Sequence, residues 1–164
     1  MFQLRPVTVD DLKSIRIINE DAIPAVNTIS ADKFLWFLEK SLYFKASVDN
    51  EDQVCGFLLV LPTGLNYDSL NYKWFSKNFL DFAYIDRIAI NKEFRSKGIG
   101  KSLYLDLESC ISKNIKIIAC EFNTNPENTI SKNFHESLNY CKVGTQFTEN
   151  GSKQVSLMIK KINE

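Results

Sequence analysis

The chain has a single histidine, His135, in 164 residues, and its four cysteines, Cys55, Cys110, Cys120 and Cys141, include no Cys-x-x-Cys pair. That set excludes a zinc site of ordinary ligand spacing. Each cysteine stands in an apolar pattern, which predicts small buried thiols and no disulfide framework. An excess of charge of one sign is also missing, since 20 Lys and Arg face 20 Asp and Glu. Composition therefore leaves no footprint for a nucleic-acid or membrane surface. No apolar run reaches the roughly 18 residues of a membrane span. Met1-Phe2-Gln3-Leu4-Arg5 leads into a strand-like pattern and not into a signal peptide, so the expected compartment is the cytoplasm. Internal repeats and low-complexity segments are absent as well.

What is present is the composition of an ordinary globule, 45% hydrophobic and 24% charged. The length suits one domain, residues 1–164, with a real core and no room for a second of normal size. A first strand is expected over 2–8. Thr8 to Asp11 then offer caps for a helix whose apolar face is Leu12, Ile15 and Ile18, and which Pro24 ends. A second helix starts at Ser30 and carries Phe34, Leu35, Phe37 and Leu38. Runs 42–48 and 53–61 flank a polar turn and read as a hairpin. Further strands are expected at 82–90, 115–122 and 154–159, with crossover helices at 99–111 and 130–138. Antiparallel strands first and parallel crossovers later indicate an α+β or mixed α/β domain. The segment 62–80 reads as one long connection rich in aromatics, among them Tyr67, Tyr72, Trp74, Phe75 and Phe79. It is either a flap packed on the sheet or part of a binding site.

The densest information lies in Arg95-Ser96-Lys97-Gly98-Ile99-Gly100-Lys101-Ser102, placed between a strand pattern and a helix pattern. First-turn amides of a helix have no partner within it, and with the helix dipole they favour an anion. Glycine removes the Cβ atoms that would hold a pyrophosphate away from those amides. Arg95 adds a bidentate cation, and Lys97 and Lys101 add mobile ones. Gly100-Lys101-Ser102 matches the second half of the nucleotide-binding P-loop, but the first glycine of that motif would fall on Arg95.

Arg-x-x-Gly-x-Gly is complete here. The segment from Tyr84 to Leu103 resembles the acyl-CoA-binding motif of the GNAT acetyltransferase superfamily. A second block, Cys120-Glu-Phe-Asn-Thr-Asn-Pro-Glu-Asn-Thr-Ile-Ser-Lys-Asn-Phe-His-Glu-Ser-Leu-Asn-Tyr, is similar to that superfamily's strand, loop asparagine and following helix. Asn139-Tyr140 stands where the family usually has Gly-Phe, and Asn tolerates the left-handed helix stop. The two blocks span roughly 82–146. Over the rest of the chain only the order of elements agrees.

The resemblance implies a GNAT-like fold, a central mixed, mostly antiparallel sheet flanked by about four helices, forming a single acetyltransferase domain. It implies an acetyl-CoA-dependent N-acetyltransferase, with acetyl-CoA as co-substrate, an amine acceptor, and no metal, nucleic acid or membrane; a homodimer is left open. By the same resemblance the pyrophosphate lies on the amides of Arg95, Ser96, Lys97, Gly98, Ile99, Gly100, Lys101 and Ser102. The backbone of Ile88, Ala89 and Ile90 holds the pantetheine arm as an added strand, and Asn128 contacts it or caps the next helix. Transfer to an amine requires a base, for which Glu121 and Asp86 are the candidates. His135 falls where many relatives protonate the leaving thiolate. The acceptor is not legible, although 24–29 and 67–79 are where it is expected. Two other readings stand beside this one: a CoA-binding sensor or scaffold without turnover, and a P-loop nucleotide-binding protein.

Overall fold

The computed structural model describes residues 1–163. The elements run β1 (Gln3–Pro6), α1 (Leu12–Asp21), α2 (Ala31–Lys40), β2 (Tyr43–Val48), β3 (Val54–Leu61), α3 (Leu70–Asn78), β4 (Ala83–Ile90), α4 (Ile99–Cys110), β5 (Ile117–Asn125), α5 (Thr129–Ser137), β6 (Cys141–Thr148) and β7 (Lys153–Lys161). Hydrogen bonding links the strands in the order β1-β2-β3-β4-β5-β7-β6. Contacts group into two compact units, one of residues 1–61 and 86–111, the other of residues 62–85 and from 112 onward.

In the first unit β1, β2 and β3 form an antiparallel meander, with Gln3 opposite Val48 and Tyr43 opposite Val60. The turn between β2 and β3 is closed by Asp49, whose Oδ1 accepts the amides of Glu51 and Gln53, both at 2.9 Å. All eight residues of β3 are buried, because α1, α2 and α4 all pack on it. A strand buried on both faces has no reason to alternate, which explains the unbroken run Val-Cys-Gly-Phe-Leu-Leu-Val-Leu. Phe34 and Phe37 of α2 are fully buried, and the Phe34 ring meets Phe57 edge-on at 6.4 Å. Ser30 starts α2 as expected, its side chain accepting the Lys33 amide at 3.1 Å. Ahead of α1, Asp11 accepts the Thr8 amide at 2.8 Å and two bonds from the Arg5 guanidinium, at 2.7 and 3.0 Å.

The second unit holds the parallel pairing, Ala83 with Ile118 and Tyr84 with Ala119. β7 inserts antiparallel between β5 and β6. The crossover through α5 therefore joins two strands that run in the same direction without being neighbours. Asn139 ends α5 at φ 67°, and the Tyr140 amide returns to the His135 carbonyl at 3.1 Å.

Three expectations are corrected. The segment 62–80 is not a bare connection, since it contains α3. Ser69 caps it by accepting the Tyr72 amide at 3.2 Å, and Tyr72 and Phe75 are its buried positions. Tyr72 packs edge-on to Tyr67, Phe82 and Tyr84 at 5.4–5.8 Å. β6 was not expected either, because most of its residues are exposed and no apolar run marks it. Cys55 and Cys120 are buried as expected, but Cys110 and Cys141 are exposed, since each lies at the end of an element on its solvent side.

Two outcomes follow from this packing. A Cβ on Gly56 would lie 2.5 Å from Ile90 Cδ1 and 3.0 Å from the Ala89 carbonyl oxygen. Gly56→Ala should therefore lower the free energy of unfolding by about 1–3 kcal/mol in denaturant titration. The Tyr72 hydroxyl donates to the Pro62 carbonyl at 2.6 Å and accepts the Leu65 amide at 3.0 Å. Tyr72→Phe leaves both groups without it, with an expected loss of about 1–3 kcal/mol in the same measurement.

Candidate functional site

The anion loop is built within the first unit. β4 ends at Ile90, and the Asn91 amide donates to the Cys55 carbonyl at 2.8 Å, which fixes the strand's exit against β3. The Asn91 side chain accepts the Glu93 amide at 3.1 Å and opens a short 3-10 turn. The chain then passes through two left-handed residues, Ser96 at φ 61° and Gly98 at φ 80°. Apart from its own chain neighbours, no described residue comes within 4 Å of where a Gly98 Cβ would stand. Glycine is needed there for the backbone conformation and leaves open space before the helix. Ser102 is the first residue of α4 to bond back, its amide to the Gly98 carbonyl at 3.0 Å. The amides of Ile99, Gly100 and Lys101 precede that bond and have no carbonyl of the helix to pair with.

The ends of the expected anion-binding run are already engaged. Besides its amide, the Ser102 hydroxyl donates to the Gly98 carbonyl at 3.1 Å. The Arg95 amide makes a long contact to the Lys92 carbonyl at 3.5 Å. Between these ends lie the amides from Ser96 to Lys101. Arg95 Nε donates to the Ile90 carbonyl at 3.2 Å, which anchors an otherwise exposed guanidinium at the mouth of the loop. The Lys97 ammonium sits 5.0 Å from the centre of the Phe94 ring. Ile88, Ala89 and Ile90 lie just upstream in β4, with Ala89 buried and the other two half-buried.

Asp86 is also in β4, and it is not isolated. Strand neighbours leave opposite faces, so adjacency alone does not pair Asp86 with Arg87. The arginine side chain is long enough to turn back, and Nε meets Asp86 Oδ2 at 2.7 Å with both side chains 4% exposed. Arg87 Nη1 donates to Asn19 Oδ1 at 2.9 Å and to the Asn27 carbonyl at 3.1 Å, and Nη2 to Asn27 Oδ1 at 2.9 Å. One buried guanidinium thus joins β4, α1 and the connection between α1 and α2. Sequence reasoning missed this network, because residues 19, 27 and 87 are brought together only by the tertiary fold.

The second unit carries Glu121, Asn128 and His135. Both Glu121 carboxylate oxygens lie within bonding distance of the Tyr84 hydroxyl, at 2.8 and 2.9 Å. The register pairs Tyr84 with Ala119, two residues before Glu121 and on the same face. Tyr84 went unnoticed in the sequence, since nothing short of strand pairing puts it beside that carboxylate. Asn128 caps α5, its Oδ1 accepting the Ser131 amide at 3.1 Å. His135 is 3% exposed and stacks on Phe122 at 5.9 Å. Its Nδ1 donates to the Ser131 carbonyl, 2.7 Å away. Burial lowers the imidazole pKa below its ordinary 6.5, and the bond to Ser131 opposes that shift. A cavity of about 320 Å³ beside these residues is lined by Phe122, Thr124, Asn128, Lys132, Tyr140 and Met158, among others. Among the described residues no cluster of three or more His, Cys, Asp or Glu could hold a metal ion. No described helix is long and apolar enough to cross a membrane.

The family model for the acetyltransferase (GNAT) family matches residues 13–140. No curated protein matches the chain. Among solved structures, the ribosomal-protein-S18-alanine N-acetyltransferase from Escherichia coli is 16% identical at a TM-score of 0.76, covering 100% of this chain and 96% of that one. Ard1 from Thermoplasma volcanium is 16% identical at 0.77, covering 99% of each chain. Arabidopsis thaliana NAA60, solved in complex with acetyl-CoA, is 16% identical at 0.78, covering 99% of this chain and 100% of that one. At such identities the likeness is one of fold, and the match of the family model over most of the chain supplies the membership. The chain belongs to the acetyltransferase (GNAT) family and is an acetyl-CoA-dependent N-acetyltransferase.

Proposed function

We propose that this single acetyltransferase domain acts in the cytoplasm, where it moves the acetyl group of acetyl-CoA to the amine of a small organic acceptor by direct attack in a ternary complex. The observation that carries the donor half is the left-handed Gly98 in front of the first-turn amides of α4, in a chain of this family. Those amides offer directional bonds to the pyrophosphate, and Arg95 adds charge. Ile88, Ala89 and Ile90 supply the strand edge for the pantetheine arm, and Asn128 both caps α5 and borders the arm. The balanced charge of the chain supports an acceptor that is neither polycationic nor polyanionic. The free state of all four thiols fits a reducing compartment.

The attacking amine must lose a proton before its lone pair can reach the thioester carbon. Glu121 is one candidate base, with both carboxylate oxygens within bonding distance of the Tyr84 hydroxyl. Asp86 is the second candidate, with Oδ2 engaged by Arg87. As the amine adds, the thioester C–S bond breaks and the CoA thiolate takes up a proton. His135 can give one only as imidazolium, which its burial disfavours.

Calorimetric titration with acetyl-CoA tests the donor site. Arg95→Ala should weaken binding by roughly 10- to 150-fold, the loss of one charge-assisted interaction. Gly98→Val should weaken it as well. If both variants fold and bind like the wild type, the pyrophosphate lies elsewhere; tighter binding of ATP than of acetyl-CoA would point to nucleotide chemistry. Thiol release across an amine panel tests turnover. Glu121→Gln should leave acetyl-CoA affinity intact and lower turnover by about 10²- to 10⁴-fold. Binding without turnover on any amine would favour a sensor.

His135 makes a separate prediction for stability. Its folded pKa is depressed, so the unfolded chain binds the extra proton more readily once pH falls below 6.5. Its contribution is fully present above that pH and is lost as pH drops toward the folded value. Denaturant unfolding should show stability falling with acid from about pH 7 downward, with a shallower slope in His135→Gln. As this is the only histidine, no other imidazole contributes. Unchanged turnover of the same variant at neutral pH would assign His135 to packing alone.

A further inference from the structure

Within Leu12–Asp21 the charges of α1 run against its dipole, and only Asp10 and Asp11 just ahead of it follow the favoured order. Lys13 lies in the first turn and Arg16 follows in the second, while Glu20 and Asp21 close the helix; the first turn holds no acid and the last no base. A helix by itself prefers the reverse, acids at the N-terminus and bases at the C-terminus. The nearest base to Asp21 is Lys92, 3.9 Å away with both side chains more than half exposed, too loose to offset that arrangement.

The same face carries uncovered apolar surface. Ile17 is 58% exposed, Val9 just before the helix 62%, and Leu35 of α2 46%. They border a groove of about 530 Å³ between α1 and α2. Lys13, Ile17 and Asp21 are spaced by four and form one stripe, with Arg16 and Glu20 on the stripe beside it.

That pattern is complementary to itself when reversed. An antiparallel copy of α1 with Ile17 on a two-fold axis sets Lys13 against Asp21 of the second copy, and Asp21 against its Lys13. The two dipoles run antiparallel, and the exposed isoleucines cover each other. We propose that the groove between α1 and α2 is an isologous dimer interface, occupied by α1 of a second copy of this chain. A partner of other sequence has no reason to match both the order of the charges and their position about Ile17.

Sedimentation equilibrium of the full chain, up to roughly 1 mM, tests this directly. The wild type should reach twice the 18.9 kDa of the chain and go no further. Lys13→Glu or Asp21→Lys alone should raise the dissociation constant by about tenfold, because each breaks two symmetry-related pairs. The double variant should return it to within about threefold of wild type. Ile17→Arg, on an exposed position that leaves the core intact, should give a monomer with an unchanged circular dichroism spectrum. A wild-type monomer over the whole range overturns the proposal, as does a dimer that keeps its affinity in Ile17→Arg. A double variant no better than the single ones overturns it too, since another surface or partner would then have to explain the stripe.

Discussion

A guanidinium cannot shed its proton inside a protein, so the burial of Arg87 obliges the chain to bring it acceptors. Asp86, the Asn19 side chain, and both the carbonyl and the side chain of Asn27 answer that demand. Asn19 is itself fully buried and donates to the Asn27 carbonyl at 3.0 Å, which closes the network. The Phe37 ring lies 5.7 Å from the guanidinium carbon and supplies an aromatic wall. Breaking such a set by removing one partner costs about 3–5 kcal/mol, because an uncompensated charge stays behind. The connection between α1 and α2 is therefore held to β4 by polar bonds, although its own residues are mostly exposed.

β4 also sets the anion loop. Its exit is fixed by the bond from Asn91 to the Cys55 carbonyl and by the close approach that Gly56 permits to Ala89 and Ile90. A small residue on β3 thereby decides where the chain turns toward α4. The helix then presents its first-turn amides by the geometry common to every α-helix. In the proposed donor site, directional hydrogen bonding would come from the backbone and net charge from Arg95, Lys97 and Lys101, so the affinity and the positioning of a pyrophosphate would have different sources.

The two carboxylates considered as bases differ in surroundings more than in sequence context. Each stands in an apolar strand run, yet Asp86 meets a buried cation and Glu121 a phenol. His135 shows a similar division: its helix position matches a family motif, while its burial favours the neutral imidazole against the opposing pull of its bond to Ser131.

By itself the sequence determined the strands and helices other than α3 and β6, the glycine-bearing turn between β4 and α4, and the cap at Asn128. Each of these rests on local physics, since period, turn chemistry and helix-end amides act within a few residues. The helix at Leu70–Asn78 was within reach of the same reasoning, through Ser69 as a cap and buried Tyr72 and Phe75 three apart, but its few apolar positions hid it among loop residues. β6 was not, because an exposed edge strand needs no apolar pattern and is defined by its pairing with β7. Only the tertiary structure decided the partners of Asp86, Glu121 and Arg87, which lie 1, 37 and 68 positions from the groups that bond them. Local propensity says which face a side chain leaves by. What it meets there depends on strand register and helix docking, and these are settled by burial over the whole chain.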